Sequence, residues 1–166
     1  FGTDNLYEES VRIPLLIRNP RLPPGGTRVA AQARLIDVMP TVLDLLGLPA
    51  EAAAQGRSLA PLLSGNAPDE DFNRFAYSEA GFRKYSVRSG GWKLIYATGK
   101  YELYDLARDK GETENLAAKE PAKVYRLVQE LMKWRRKTRT AKSPDDTRVT
   151  ITEEMKQKLK EAGYWR

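Results

Sequence analysis

Apolar residues recur along this chain with two different periods, and the change between them divides it. Val11, Ile13, Leu15 and Ile17 share one parity and Leu16 fills the other. That is the pattern of a strand buried on both faces, as in a parallel α/β sheet. Pro14 within it asks for an edge position or a bulge. Asn19–Gly26, with its prolines and glycines, predicts a loop. Val38, Thr41, Val42, Leu45 and Leu46 then fall on one stripe at helical spacing, predicting a helix over Ala33–Gly47. Asp37 is placed to cap it, Pro40 lies in its first turn and Gly47 stops it. A short helix over Ser58–Leu63 follows, capped by Ser58. The polar stretch Asn66–Asn73 sets a boundary between a first part, residues 1–65, and a second, residues 66–166.

Beyond that boundary the period shortens. Phe75–Glu79, Lys84–Arg88, Trp92–Ala97 and Tyr101–Asp105 read as short strands, with Ser89-Gly90-Gly91 and Thr98-Gly99-Lys100 as hairpin turns between them. They predict an antiparallel meander. Val124, Leu127, Val128, Leu131 and Trp134 return to helical spacing over Glu120–Lys137 and give a helix whose apolar stripe covers one face of the meander. A last helix is predicted over Thr152–Ala162, with Thr152 as cap and Glu153-Glu154 in its first turn.

Composition narrows the chemistry. The 166 residues are 41% hydrophobic and 30% charged, the balance of a folded domain with a core. No apolar run approaches the ~18–20 residues that cross a bilayer. The chain has no cysteine and no histidine. This removes disulfides, thiolate ligands, cysteine nucleophiles and the commonest general base from its own repertoire. The net charge of +6 favours an anionic partner. No nucleic-acid motif accompanies it, and neither a nucleic acid nor a membrane is expected as partner.

Several segments carry a resemblance. Leu6-Tyr7-Glu8-Glu9-Ser10-Val11-Arg12-Ile13-Pro14-Leu15-Leu16-Ile17-Arg18 is similar to the "LYEESxRxPLxIR" segment of type I sulfatases, members of the alkaline phosphatase superfamily. Leu35-Ile36-Asp37-Val38-Met39-Pro40-Thr41 with Leu45-Leu46-Gly47 resembles the family's "DlxPTxLdlaG" helix. Gly56-Arg57-Ser58-Leu59 with Pro61-Leu62-Leu63 resembles its "GrSLxPLL" segment. Val87-Arg88, Trp92-Lys93-Leu94-Ile95-Tyr96 and Glu102-Leu103-Tyr104-Asp105-Leu106 resemble its C-terminal sheet. Asp109, Gly111-Glu112-Thr113 and Asn115-Leu116 resemble its "DPxExxNL" turn, and Glu154 to Tyr164 its final helix. The matches keep the family's order over nearly the whole chain.

The resemblance implies an α/β fold: C-terminal pieces of the sulfatase sheet domain, then a small four-stranded antiparallel sheet with a covering helix. It implies an arylsulfatase-like hydrolase of sulfate esters whose nucleophile is a formylglycine and whose metal is calcium. It also makes a periplasmic or secreted location possible. The Cys/Ser-x-Pro-x-Arg sequence that yields formylglycine is absent. No catalytic or metal-ligating residue is therefore assigned, and the isolated chain is expected to be inactive. At the position four residues before Tyr7, where the family commonly has a sulfate-contacting lysine, this sequence has Thr3.

Thr3 is accordingly one substrate-binding candidate. Arg83 and Lys84, in the turn opening the second meander strand, are the others, suited to an anionic sulfated small molecule or glycan. Tyr7, Glu8 and Glu9 are expected to fix the loop entering the first strand, a Glu pairing with a neighbour such as Arg12. Asp44 is expected on a solvated face. Trp92, Tyr96, Tyr101 and Tyr104 are expected as core beneath the covering helix. Lys133, Arg135, Arg136, Lys137, Arg139 and Lys142 form a basic cluster. Two alternatives stand beside the sulfatase fragment: a phosphonate or phosphate monoester hydrolase relative, and a non-catalytic basic module that binds sulfated polyanions. A chain that needs an N-terminal sulfatase segment as partner should expose apolar side chains on Val11–Ile17 and Val38–Leu46.

Overall fold

The computed structural model describes residues 5–20, 28–66, 68, 74–81, 83–140, 153 and 157, without the side chains of 139 and 140. The chain divides into two compact units, Phe1–Trp134 and Arg135–Arg166. In chain order the elements are α1 (Glu8–Val11), a 3-10 turn (Leu35–Asp37), α2 (Val38–Leu46), α3 (Ala60–Leu63), β1 (Ala76–Ala80), β2 (Lys84–Ser89), β3 (Trp92–Ala97), β4 (Lys100–Asp105) and α4 (Pro121–Thr140). In the second unit the description covers the end of α4 and two helical residues, Glu153 and Gln157. The helix predicted over Thr152–Ala162 otherwise lies outside the described residues, as does most of Asn66–Asn73.

The four strands form one antiparallel sheet in the order β1-β2-β3-β4. Tight turns make the meander possible. Gly90 and Gly91 both have positive φ, 57° and 79°, and close β2 onto β3 with Ser89 opposite Trp92. That is the primed turn whose twist matches the strands, and two glycines adopt it without a Cβ penalty. Thr98 and Gly99, at φ 47° and 89°, do the same between β3 and β4.

Alternation along the strands gives the sheet two unlike faces. On one, Val87, Leu94 and Leu103 meet Leu127 and Leu131 of α4 in a fully buried cluster, with Trp92, Tyr96 and Tyr101 packed on its edge. Tyr77 and Trp134 stack there with ring centroids 4.9 Å apart and planes 2° apart. Trp134→Ala is expected to cost about 1–2 kcal/mol through the lost stack and the area it covers. Thermal unfolding of the two chains measures it, with Tyr125→Ala, at an exposed position on α4, as the near-neutral control. Tyr104 is not part of this stripe. Its parity is opposite to that of Leu103, and it packs on the other face with Leu6, Ile95 and Leu106.

The early residues depart most from expectation. Val11–Arg18 is not a strand: α1 takes Glu8–Val11, and Arg12–Asn19 is neither helix nor sheet. A strand is defined by neighbours that accept its backbone hydrogen bonds, and the four strands of the described sheet offer none to this segment. The predicted helix over Ala33–Gly47 starts later, as the 3-10 turn and then α2.

The Asp37 carboxylate accepts no N–H from α2 as a cap. The side chain is fully buried and turns back. Oδ2 accepts the Arg34 N–H and Nε at 3.0 and 3.1 Å and Arg74 Nη2 at 3.3 Å; Oδ1 accepts Arg34 Nη2 at 2.8 Å and the Arg57 N–H at 2.9 Å. Thr41 extends the hub, its hydroxyl donating to the Asp37 carbonyl at 2.6 Å and accepting the Leu59 N–H at 2.9 Å. The loop bearing Arg57 crosses so close that a Cβ on Gly56 would lie 1.8 Å from the Ile36 carbonyl oxygen. The hub thus ties α2, the start of α3 and the entry to β1 together. Asp44 is exposed as expected and accepts the Ser58 hydroxyl.

Candidate functional site

The second face of the sheet is polar, and the Leu6–Val11 segment lies on it. By alternation this face carries Lys84, Ser86 and Arg88 from β2, Lys93 and Ile95 from β3, and Lys100, Glu102 and Tyr104 from β4. Arg88 and Lys93 stand directly opposite each other across the strands. Two like charges so placed repel unless an anion lies between them. Glu8 supplies it, with Oε2 2.8 Å from Arg88 Nη1 and Oε1 3.1 Å from Lys93 Nζ.

Lys93 is the centre of this arrangement. Its side chain is only 1% exposed, and its ammonium also lies 2.9 Å from Glu112 Oε1, whose side chain is 3% exposed. The angle of that second contact lies outside the hydrogen-bonding range, so it is an ion pair rather than a directed bond. The other Glu112 oxygen accepts the Glu8 backbone N–H across 104 residues of sequence. Two cations and two carboxylates therefore balance, Lys93 and Glu112 out of water and Arg88 at the margin, the condition under which buried charge is tolerated. Glu112 reaches it from a left-handed backbone, φ 55°. Its turn is shaped by Asp109, whose carboxylate accepts the N–H groups of Thr113 and Glu114 and the Thr113 hydroxyl. Those bonds, the Glu114 N–H foremost, hold the Asp109 pKa below the ordinary value.

A second contact set fixes the same segment. Glu102 Oε2 accepts the hydroxyls of both Tyr7 and Tyr104 at 2.9 Å, and the two rings meet edge to face at 6.2 Å. The bond to Glu102, then burial, raises the Tyr7 pKa. Burial first, then the same carboxylate, raises that of Tyr104. Both phenols thus stay protonated donors at neutral pH. Asn5 adds a local turn, its Oδ1 accepting the Tyr7 N–H at 3.2 Å.

The expected Glu–Arg12 pairing is replaced by Glu8 with Arg88 and Lys93. Sequence reasoning quoted Lys93, Glu102 and Glu112 within the family-like segments but gave them no role. On a meander with one covering helix, Lys93 reads as solvent-facing, and nothing nearby in sequence announces the cover. Of the predicted substrate-binding residues, Thr3 lies outside the described residues. Arg83 is exposed at φ 66° in the connection that Gly81 opens, and Lys84 is half-buried at the start of β2. Ala80, at the other end of that connection, packs against the cluster that holds Leu6. The register sets Lys84 and Lys100 on either side of Ala97, about 10 Å apart on the face that receives the Leu6–Val11 segment. Lys100 is thus a third cation at this edge, unmarked in the sequence. In the basic cluster, Lys133 pairs with Glu130 at 2.7 Å, and the Arg139 side chain and Lys142 lie outside the described residues.

Among the described residues no group of three carboxylate, histidine or cysteine side chains could hold a metal ion. With no cysteine in the chain and no Ser-x-Pro-x-Arg in its sequence, no residue of it matches the precursor of formylglycine. No described helix is long and apolar enough to cross a membrane.

Comparison with known proteins gives this geometry its context. The profile of the family described as "N-sulphoglucosamine sulphohydrolase, C-terminal" matches residues 1–140. Arylsulfatase K of Xenopus laevis is 32% identical over 142 residues, 76% of this chain and 26% of that protein. An N-acetylglucosamine-6-O-sulfatase of Bacteroides thetaiotaomicron is 30% identical over 160 residues, 88% of this chain and 28% of that protein. The structure of a phosphonate monoester hydrolase from Silicibacter pomeroyi superposes with a TM-score of 0.67 at 27% identity, over 92% of this chain and 34% of that one. The chain thus spans about a quarter of the sulfatases it matches. With a profile match over most of its length, a mixed α/β fold and a motif segment clamped to a four-stranded antiparallel sheet, the chain belongs to the sulfatase family, as its N-sulphoglucosamine sulphohydrolase-type C-terminal domain.

Proposed function

We propose that this chain is the C-terminal part of a sulfate-ester hydrolase, inactive alone, that completes the anion-binding end of a site whose nucleophile and calcium belong to a catalytic portion. The observation that carries this reading is the clamping of the sulfatase-like Leu6–Val11 segment by Glu8, Lys93 and Glu112 beside the cationic edge of Arg83, Lys84 and Lys100. Thr3 stands three residues before that segment in sequence. In this reading the three cations and Thr3 bind and orient a sulfate group through charge-assisted bonds. Bond cleavage is left to formylglycine chemistry on the catalytic portion. The similarity to an N-acetylglucosamine-6-O-sulfatase supports a sulfated amino sugar as the substrate class.

The test has two parts. The isolated chain, given calcium and a chromogenic sulfate ester, should show no turnover. A chimera in which this chain replaces the matching 28% of the Bacteroides relative should hydrolyse a 6-O-sulfated amino sugar. In it, Arg83→Ala and Lys84→Ala should each raise KM by about tenfold with little change in kcat, the signature of a lost ground-state charge contact. Turnover by the isolated chain, or an unchanged KM in both variants, overturns the reading. The likeness over 92% of the chain to a phosphonate monoester hydrolase supports a second reading, phosphonate ester hydrolysis. A chromogenic phosphonate monoester in the same assay decides between the two.

A further inference from the structure

Three tyrosines stand side by side across the sheet. The register sets Tyr85 of β2 opposite Tyr96 of β3, and Tyr96 opposite Tyr101 of β4. Neighbouring ring centroids are 6.3 and 5.2 Å apart, with planes 19° and 47° apart. By alternation they lie on the face that α4 covers, but the helix is anchored over the other rows of that face. The Lys123 ammonium at its start sits 3.3 Å from the Trp92 ring centroid, and Trp134 stacks on Tyr77. Trp92 lies beside the Gly90-Gly91 turn, and Tyr77 is in the next row, with Val87, Leu94 and Leu103. The tyrosine row is one step further, about 7 Å along the strands, beside the Thr98-Gly99 turn. Accordingly Val87, Leu94 and Leu103 are 0% exposed, whereas Tyr85, Tyr96 and Tyr101 are only half-buried. Glu79 of β1 continues the row opposite Tyr85 and is exposed. Arg83, just before β2, and Lys100, at the start of β4, are exposed at the same end of the sheet.

Cross-strand aromatic pairs steady a sheet by themselves. This row also combines what a sugar chain needs from a surface. Flat apolar rings receive the C–H faces of the sugar, phenol hydroxyls and a carboxylate meet its hydroxyl groups, and cations at the border meet acidic substituents. Three strands make the row about 10 Å long, room for two adjoining sugar rings. We propose that Tyr85, Tyr96, Tyr101 and Glu79 form a glycan subsite. It holds the sugar residues next to the one whose sulfate meets Arg83 and Lys100, so that this chain recognises an oligosaccharide rather than a monosaccharide. The choice of a sulfated amino sugar rests on the function proposed above; the stacking row does not. Single-stranded nucleic acid also stacks on aromatic rows beside cations, but here Glu79, at the end of the row, would repel its phosphates.

The full 166-residue chain, labelled at tyrosine, is titrated by NMR with a neutral N-acetylglucosamine tetrasaccharide and with its 6-O-sulfated form. The ring signals of Tyr85, Tyr96 and Tyr101 should move with both and that of Tyr77, stacked under α4, with neither. The monosaccharide should bind at least ~10-fold more weakly than the tetrasaccharide, because it covers one ring of the row. Tyr96→Leu keeps an apolar side chain in the row but no flat ring. It should weaken the neutral glycan about tenfold, with an unmoved Tyr77 signal showing that the fold is kept. Ring signals that stay still with the neutral tetrasaccharide, equal affinity for monosaccharide and tetrasaccharide, or a folded Tyr96→Leu chain that binds as wild type each overturn the proposal. Rings that answer only to an oligothymidylate, with a steep salt dependence, overturn it in favour of nucleic acid. If the isolated chain does not fold, the neutral glycan is titrated into the chimera described above, with the same outcomes for the row. The two readings fail separately. A sulfated form that binds no tighter than the neutral one removes the proposed anion site and leaves the tyrosine subsite standing. Binding of the sulfated form alone, with the three rings still, does the reverse.

Discussion

Lys93→Met is expected to destabilise the first unit by about 3–5 kcal/mol, the cost of breaking a buried ion pair by removing one partner. Methionine keeps most of the side-chain length and the apolar stem. What is lost is the ammonium between Glu8 Oε1 at 3.1 Å and Glu112 Oε1 at 2.9 Å. The two carboxylates would then face each other with Arg88 alone to offset them, and the Arg88 side chain is 34% exposed. Urea unfolding of both chains at neutral pH gives the difference. Glu112→Gln alone should cost less, because Glu8 still pairs Lys93. The double variant should recover part of the loss, a non-additivity that isolates the pair. The change should also be local. The amides of Ser10, Val11 and Arg12, bonded in the wild type to the Tyr7 and Glu8 carbonyls, should exchange faster in Lys93→Met than those of β3. If stability falls by less than ~1 kcal/mol, the level of an exposed pair, Lys93 is solvated and the clamp is not formed.

This clamp also shows where sequence reading stops. The meander was legible because its information is local. Gly90-Gly91 and Thr98-Gly99 sit where primed turns need them, and the observed strands differ from the predicted ones by a residue at most at each end. The helix over α4 was legible from Leu127 and Leu131, which reach the buried cluster as their spacing implies. Lys93 was not legible. Alternation correctly puts it opposite Leu94, but whether that face meets water is decided by Glu8, 85 residues earlier in the sequence. Tyr104 failed for a related reason: four aromatics were assigned to one stripe although Tyr101 and Tyr104 differ in parity. The segment Val11–Arg18 failed differently. Its side-chain pattern describes the surroundings of a strand, and those surroundings are absent among the described residues. Of the three cations proposed to bind the sulfate group, Arg83 and Lys84 were singled out from the turn that the sequence shows, whereas Lys100 joins them only through the register β2-β3-β4.

Asp37 carries the other large expected effect, and its misreading as a helix cap has the same origin. The motif around it is local, but the Arg57 N–H and the Arg74 guanidinium that converge on it come from 20 and 37 residues away. Asp37→Ala should cost about 3–5 kcal/mol, because it leaves Arg34 and the Arg57 N–H at a buried position without their acceptor. An ordinary helix cap would cost about 1 kcal/mol, so the size of the loss separates the two roles. Asp37→Asn keeps the volume and one acceptor oxygen and should fall between them. A pH dependence follows. Burial alone would raise the Asp37 pKa, but the Arg34 hydrogen bond, the Arg57 N–H and the charges of Arg34 and Arg74 outweigh it and hold the value below 3.8. Between the lowered folded value and the unfolded one, the unfolded chain binds more protons, so stability rises with pH there. The contribution of Asp37 is fully present above the unfolded value and is lost as pH falls through the folded one. The stability difference between wild type and Asp37→Asn, followed by urea unfolding from pH 6 down to pH 2.5, should therefore stay constant and then shrink at the acid end. A difference that is flat to the lowest pH, or that grows as pH falls, would mean that Asp37 is not held ionised by its arginines.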